Sequence, residues 1–291
     1  MSKLPDFLGS YRLAKFIRSG SSTQIWEAIK DDGSGGRYVL KVLNRALWGN
    51  RAELGYLKHE YDVAHGIDHP TVIDVKEFHV QNKIGFLVLE VFTDLNIKQV
   101  IREHGHESLH DNYVKIIEQA ITSLQQLNEA GWVHCDIKPD NFLLNENAEL
   151  KLIDFTISKR VSKGFSAMFR KRGTIRSTRS YMSPEQIRNE ALDARADIYS
   201  LGCFMYELLV GRTPFSGESP DDLLKKHLRA PVPNVHVHND KVTDDMANLL
   251  QRVLAKDKKD RPESMKQLLK EFGSLRVFKP VIKLKTPEKN E

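Results

Sequence analysis

From Tyr11 to Glu90 the apolar residues fall in short alternating runs, the period of half-buried strands. These runs predict strands over Tyr11–Arg18, Gln24–Asp31, Arg37–Leu43, Val75–His79 and Phe86–Glu90. The segment Asp31-Asp32-Gly33-Ser34-Gly35-Gly36, between the second and third, has the composition of a hairpin turn. One helix interrupts the series over Ala52–Gly66, with Leu54, Leu57, Tyr61 and Ala64 on one face. Beyond Glu90 the period becomes helical. Asn112–Ala130 carries Val114, Ile117, Ile121, Leu124 and Leu127 at helical spacing, and Gly131 follows as a C-terminal cap. Asp197–Val210 is apolar nearly all round, which predicts a buried central helix. Ser219-Pro220-Asp221 and Thr243-Asp244-Asp245 read as two further helix starts. A small strand-rich half therefore precedes a larger helical half.

Composition narrows the class only a little. The 291 residues, 40% of them apolar, suffice for one large or two small domains with a packed core. A net charge of +5 suits acidic partners without marking a nucleic-acid binder. The two cysteines, Cys135 and Cys203, have neither metal-site spacing nor a disulfide framework, which fits a reduced, cytoplasmic setting. No apolar run reaches the roughly 18 residues of a membrane span, and Met-Ser-Lys-Leu-Pro-Asp has no signal-peptide core. The C-terminal stretch from Lys279 to Glu291 is rich in Lys, Pro and Glu and is expected to be disordered.

Chemistry concentrates in two places. His134-Cys135-Asp136-Ile137-Lys138-Pro139-Asp140-Asn141 is one, and Asp154-Phe155-Thr156 follows shortly after. The first resembles the catalytic loop of the protein kinases, and the second resembles their Asp-Phe-Gly metal motif. The resemblance implies that Asp136 accepts the proton of a substrate hydroxyl and Lys138 steadies the γ-phosphate. It also implies that Asn141 and Asp154 hold Mg²⁺ against the phosphates. A plain polar loop rarely carries His, Asp, Lys, Pro and Asn at these spacings together. Lys138 resembles the serine/threonine branch. No Gly-x-x-x-x-Gly-Lys-Ser/Thr occurs, which argues against the other large ATP-binding class. Two positions depart from the pattern: Cys135 replaces the usual Arg, and Thr156 the usual Gly. A β-branched residue there is expected to restrict the Asp154 segment, because it tolerates φ > 0 poorly.

The same resemblance extends along the chain. Lys41 ends Tyr38-Val39-Leu40-Lys41 at the place of the phosphate-binding lysine. Read alone it would be an ordinary solvated strand residue. Glu60 is its implied ion-pair partner, with Glu53 the runner-up. Alignment on Ile25 puts Arg18, Gly20 and Thr23 at the three glycine positions of the phosphate-covering loop, so only Gly20 is kept. Adenine contacts are implied for Ile17, Ile25 and Val39 above, Leu143 below, Leu89 as gatekeeper, and the backbone at Glu90 and Phe92. His134 and Phe155 are implied to pack in an apolar spine between the lobes. Asp197 is implied to hold the catalytic-loop backbone, though it also suits a helix N-terminus. Ser183-Pro184-Glu185 with Arg261 implies a buried structural pair. Thr178 sits at the substrate-pocket threonine.

The expectation is an α+β, two-lobed protein kinase fold, most similar to bacterial eukaryote-like serine/threonine kinases. Residues 1–10 form an N-terminal extension, 11–275 the kinase domain with lobes 11–90 and 94–275, and 276–291 a basic, disordered tail. The implied activity is transfer of the ATP γ-phosphoryl group to protein Ser or Thr hydroxyls, with Mg²⁺ and with Mn²⁺ as an alternative. A pseudokinase scaffold is the rival reading, favoured by the eroded glycine loop and Thr156. It is opposed by the complete set Lys41, Glu60, Asp136, Lys138, Asn141 and Asp154. Without an Arg at 135, the usual anchor for an activation-segment phosphate is missing. Basic residues including Lys159, Arg160, Lys163, Arg170, Lys171, Arg172, Arg176 and Arg179 could then attract an acidic substrate, or a phosphate at Thr174, Ser177 or Ser180.

Overall fold

The alternating runs pair as hairpins in the computed structural model, which describes residues 4–161 and 179–280. Strands β1 (Phe7–Leu8), β2 (Tyr11–Ser19), β3 (Thr23–Lys30), β4 (Arg37–Leu43), β5 (Val75–Gln81) and β6 (Ile84–Leu89) form one antiparallel sheet. Its order is β1-β2-β3-β4-β6-β5. The five strands read from the sequence are all present, with ends shifted by a few residues. Strand β1 lies in the stretch taken as an N-terminal extension. It pairs with Tyr11 and Arg12, and Leu8 is fully buried, so hydrophobic burial ties part of that stretch to the sheet.

Helix α1 (Arg51–Ala64) packs on β5 and β6. Asn50 starts it by accepting from the Ala52 and Glu53 amides, and the extended backbone of His65 ends it short of Gly66. Gly85 on β6 leaves room for it, since a Cβ there would lie 2.5 Å from a Leu54 methyl. Buried on α1 are Leu57, Val63, Ala64 and one acid, Glu60. That acid on an apolar face is the first structural sign of a site.

The second lobe is helical: α2 (Ile97–His104), α3 (Tyr113–Glu129), α4 (Pro184–Ile187), α5 (Ala194–Val210), α6 (Pro220–Arg229), α7 (Asp244–Val253) and α8 (Met265–Gly273). Four short strands, β7 (Trp132–Val133), β8 (Phe142–Leu144), β9 (Leu150–Leu152) and β10 (Lys159–Arg160), pair as β7 with β10 and β8 with β9. Helix α5 is buried from Ala196 to Leu209, as its uniformly apolar sequence requires. In α3 the buried face runs through Tyr113, Ile116, Ile117, Ala120 and Ile121, and Val114 is exposed instead of joining it. Helix α2 carried a readable start, since Asn96 and Gln99 cap each other reciprocally.

One apolar cluster joins the lobes, from Val39, Leu57 and Leu89 through Phe155 to Tyr199 and Phe204. His134 and Phe155 meet edge to face within this join, ring centroids 5.5 Å apart. On the C-terminal side, residues past 275 still touch the helical lobe. Val277 is buried, Thr243 donates to its carbonyl at 3.0 Å, and Lys279 donates to Lys241 O at 2.7 Å. Apolar Val277 and Phe278 keep this part of the expected tail on the lobe.

Candidate functional site

Lys41 sits on β4 between buried Leu40 and Val42. Its Nζ donates to both Glu60 oxygens, at 2.8 and 2.7 Å, and lies 3.5 Å from Asp154 Oδ1. Glu60, not Glu53, is therefore the partner. Glu60 is only 2% exposed, so the pair is largely desolvated. Burial pushes the Lys41 ammonium toward neutrality, but Asp154 and Glu60 outweigh it and hold its pKa well above the ordinary lysine range. Burial raises the pKa of Glu60 against the pull of Lys41. Burial would raise Asp154 too, yet Lys41, the Thr156 hydroxyl, His134 and Lys138 hold its carboxyl well below the usual range.

The floor of the cleft is fixed from α5. Asp197 is fully buried and accepts from His134 N at 2.8 Å, Cys135 N at 3.0 Å and Asn128 Nδ2 at 3.3 Å. Burial raises its pKa, opposed by His134 and the backbone donors. These bonds hold Cys135 at φ +70°, a left-handed backbone that costs a non-glycine residue on the order of 1–2 kcal/mol. Gln186 Nε2 grips the Cys135 carbonyl at 2.8 Å. The Cys135 side chain packs with Val133, Leu192 and Ala196 and does not face solvent as an arginine would. His134 Nδ1 lies 3.3 Å from the Asp136 amide and its Nε2 lies 3.2 Å from Ile153 O.

On this floor the predicted groups converge. Lys138 Nζ lies 2.7 Å from Asp136 Oδ2. Asn141 Nδ2 donates to Asp136 O at 2.7 Å and lies 3.3 Å from its Oδ2, while Ile153 N donates to Asn141 O at 3.0 Å. The loop from His134 to Asn141 and the strand leading to Asp154 are thus one hydrogen-bonded unit. Arg261 and Glu185 form the expected buried pair, bonded at 2.7 and 3.0 Å. Ser183, standing where alanine is usual, caps α4 in a reciprocal box with Gln186.

Thr156 itself is not in the left-handed region. The positive φ belongs to Asp154, at +66°, an angle that aspartate tolerates better than most residues. The Thr156 Oγ1 donor lies 2.6 Å from Asp154 Oδ1 and 3.2 Å from Glu60 Oε2.

The roof is sparser. Gly20 N donates to Thr23 O at 2.7 Å, and Asn44 Nδ2 donates to Gly20 O and Ser21 O at 3.0 Å. Arg18 is half-buried. Burial lowers its guanidinium pKa while Asp154 raises it, so the side chain lies in the field of the cleft. Arg18, which stands at a glycine position of the covering loop, thus also brings a charge to the cleft, and its charge at that position is the signal in the sequence. Ile17, Ile25, Val39, Leu89 and Phe92 share one apolar cluster, and Leu143 is buried on β8. Glu90 N donates to Asp74 O at 3.0 Å, and the Glu90 carboxylate pairs with Lys151 at 2.7 Å.

Asn141 and Asp154 offer hard oxygen donors suited to Mg²⁺. The Asn141 NH₂ is spent on Asp136, and its amide oxygen is the donor available to a cation. Among the described residues no group of three His, Cys, Asp or Glu could form a dedicated metal cage. Thr178, with Thr174, Ser177, Lys163, Arg170, Lys171, Arg172 and Arg176, lies outside the described residues. No helix among the described residues is long and apolar enough to cross a membrane.

The sequence matches the family described as protein kinase domain over residues 11–272. It is 28% identical over 276 residues to a probable serine/threonine-protein kinase of Bifidobacterium longum, covering 94% of this chain and 36% of the relative. It is 28% identical over 261 residues to serine/threonine-protein kinase PrkC of Bacillus subtilis, covering 89% and 39%. With serine/threonine-protein kinase PknA of Mycobacterium tuberculosis the identity is 30% over 230 residues, covering 77% and 52%. The chain thus spans between about a third and a half of the length of these curated relatives.

Proposed function

This chain belongs to the protein kinase domain family, and from that premise we propose that it transfers the γ-phosphoryl group of ATP to protein Ser or Thr hydroxyls. The carrying observation is the assembled trio Lys41, Glu60 and Asp154 above an ordered catalytic loop. Lys41, fixed by Glu60, offsets charge on the α- and β-phosphates. Lys138 does so at the γ-phosphate, where negative charge spreads during transfer. Asp136 orients the acceptor hydroxyl and takes its proton. Asn141 and Asp154 would hold Mg²⁺, which neutralises phosphate charge when bound. Adenine fits between Ile17, Ile25 and Val39 above and Leu143 below, behind the gatekeeper Leu89. The amide of Glu90 is spent within the protein, so its carbonyl and the Phe92 backbone are the groups left to recognise the base.

Transfer proceeds without an arginine before Asp136. Asp197 and Gln186 fix the Cys135 backbone from within the helical lobe, which supports an ordered loop independent of a phosphate anchor. Exposed Lys159 and Arg179 favour an acidic protein substrate. The setting is cytoplasmic. The test is radiolabel transfer from ATP with Mg²⁺, or with Mn²⁺, to the chain itself and to acidic and basic acceptor proteins. Label incorporated by the wild type and lost in Asp136→Asn is expected. A wild type that binds ATP but transfers no label in any arm would replace this reading with a pseudokinase scaffold.

A further inference from the structure

Two carboxylates face one ammonium across the cleft. Glu60 and Asp154 both lie within 3.5 Å of Lys41 Nζ, and their charges repel each other. Glu60 is buried while the Asp154 side chain is 39% exposed, and the ammonium between them offsets their mutual repulsion only in part. Thr156 supplies the only hydroxyl found between them among the described residues, 2.6 Å from Asp154 Oδ1 and 3.2 Å from Glu60 Oε2. Its one proton is directed mainly to Asp154, and its amide adds a weaker bond to the same oxygen at 3.4 Å.

We infer that Thr156 is a positioning residue whose hydroxyl clasps Asp154 to Glu60, holding helix α1 and the Asp154 segment in one joined arrangement. Neither glycine nor an apolar side chain could do this, because the clasp needs a donor shared between two acceptors. The branched side chain costs nothing here, since the left-handed backbone is at Asp154 and not at Thr156. A second tether runs alongside: His59 Nε2 donates to Ser158 O at 2.8 Å and ties the same helix to the same segment. The inference deepens the phosphoryl-transfer reading and rests on it for its purpose, though not for its physics.

The test is hydrogen–deuterium exchange of the unliganded protein, comparing wild type with Thr156→Val, Thr156→Ser and Thr156→Gly. Valine keeps the shape and removes the donor; serine keeps the donor and removes the methyl. In Thr156→Val and Thr156→Gly, amides of residues 57–64 and 152–158 should exchange about tenfold faster or more, the effect of losing one charge-assisted hydrogen bond. Thr156→Ser should exchange as wild type. Wild-type exchange in Thr156→Val overturns the clasp. Fast exchange in Thr156→Ser also overturns it, by showing that the methyl and not the hydroxyl matters. Because exchange needs no turnover, loss of the clasp and failure of the transfer reading give separate results.

Discussion

The floor and the roof of the cleft are built to different standards. The backbone of the floor loop at His134 and Cys135 is held by side chains of α5 and α4, and Asp197 alone accepts three donors. The roof turn hangs on one half-buried asparagine, Asn44, and two backbone bonds, Gly20 N to Thr23 O and Asn44 N to Ser22 O. A residue on the floor is thus positioned by the core, whereas a roof residue is positioned mainly by its own strand. The difference teaches where substitutions are tolerated. Arg18 and Thr23 stand at glycine positions in the roof, while Asp136, Lys138 and Asn141 on the floor are retained.

The largest effect should come from the chemistry the floor supports. Asp136→Asn and Lys41→Ala should each lower the transfer rate roughly 1,000-fold while the circular dichroism spectrum stays unchanged. Near-wild-type turnover in either would break the assignment of roles. Next comes the support itself. Asp197→Ala leaves three donors without their acceptor and Cys135 in an unsupported left-handed backbone, and should cost about 3 kcal/mol or more of stability in urea titrations. A loss under about 1 kcal/mol would show that the floor is not held from α5.

The helical lobe beneath the floor should also be acid-sensitive. His227 is fully buried beside Lys256, and its Nδ1 bonds with Tyr199 at 3.0 Å. Burial first, then Lys256, pushes its pKa down from 6.5 to about 4. Between those values the unfolded chain binds a proton that the folded chain does not. Stability is therefore full above pH 6.5 and declines as pH falls toward 4, by at most about 3 kcal/mol. The difference between wild type and His227→Gln across that range checks the slope; parallel curves would refute it. The smallest effect belongs to the roof. Arg18→Gly should raise the KM for ATP about threefold and change stability by less than about 0.5 kcal/mol. A stability loss comparable to that of Asp197→Ala would erase the contrast between roof and floor.

Much of this was legible in the chain, for a physical reason. Strand alternation and the apolar length of α5 report burial directly, and residues with chemistry at fixed spacing, from His134 to Asn141, report a loop whose shape is dictated by its job. What stayed hidden depends on distance in space. Thr156 reads as a lost glycine until Glu60, far off in sequence, comes within 3.2 Å of its hydroxyl. Ser183 and Gln186 read as part of a motif until Gln186 reaches the Cys135 carbonyl. Phe7–Leu8 and Val277 were assigned to the ends because two or three apolar residues show no period, although the core is close enough to take them.

The two cysteines carry a practical consequence. Cys135 and Cys203 are both buried, and burial pushes both thiols far above their ordinary pKa. A thiol that does not ionise is a poor nucleophile, so neither should react readily with maleimides or mild oxidants in the folded protein. The natural chain is therefore already a silent background for site-specific labelling. A cysteine placed on the exposed face of α1, at Lys58 for example, would take up a dye or spin label alone and report helix position without further mutation.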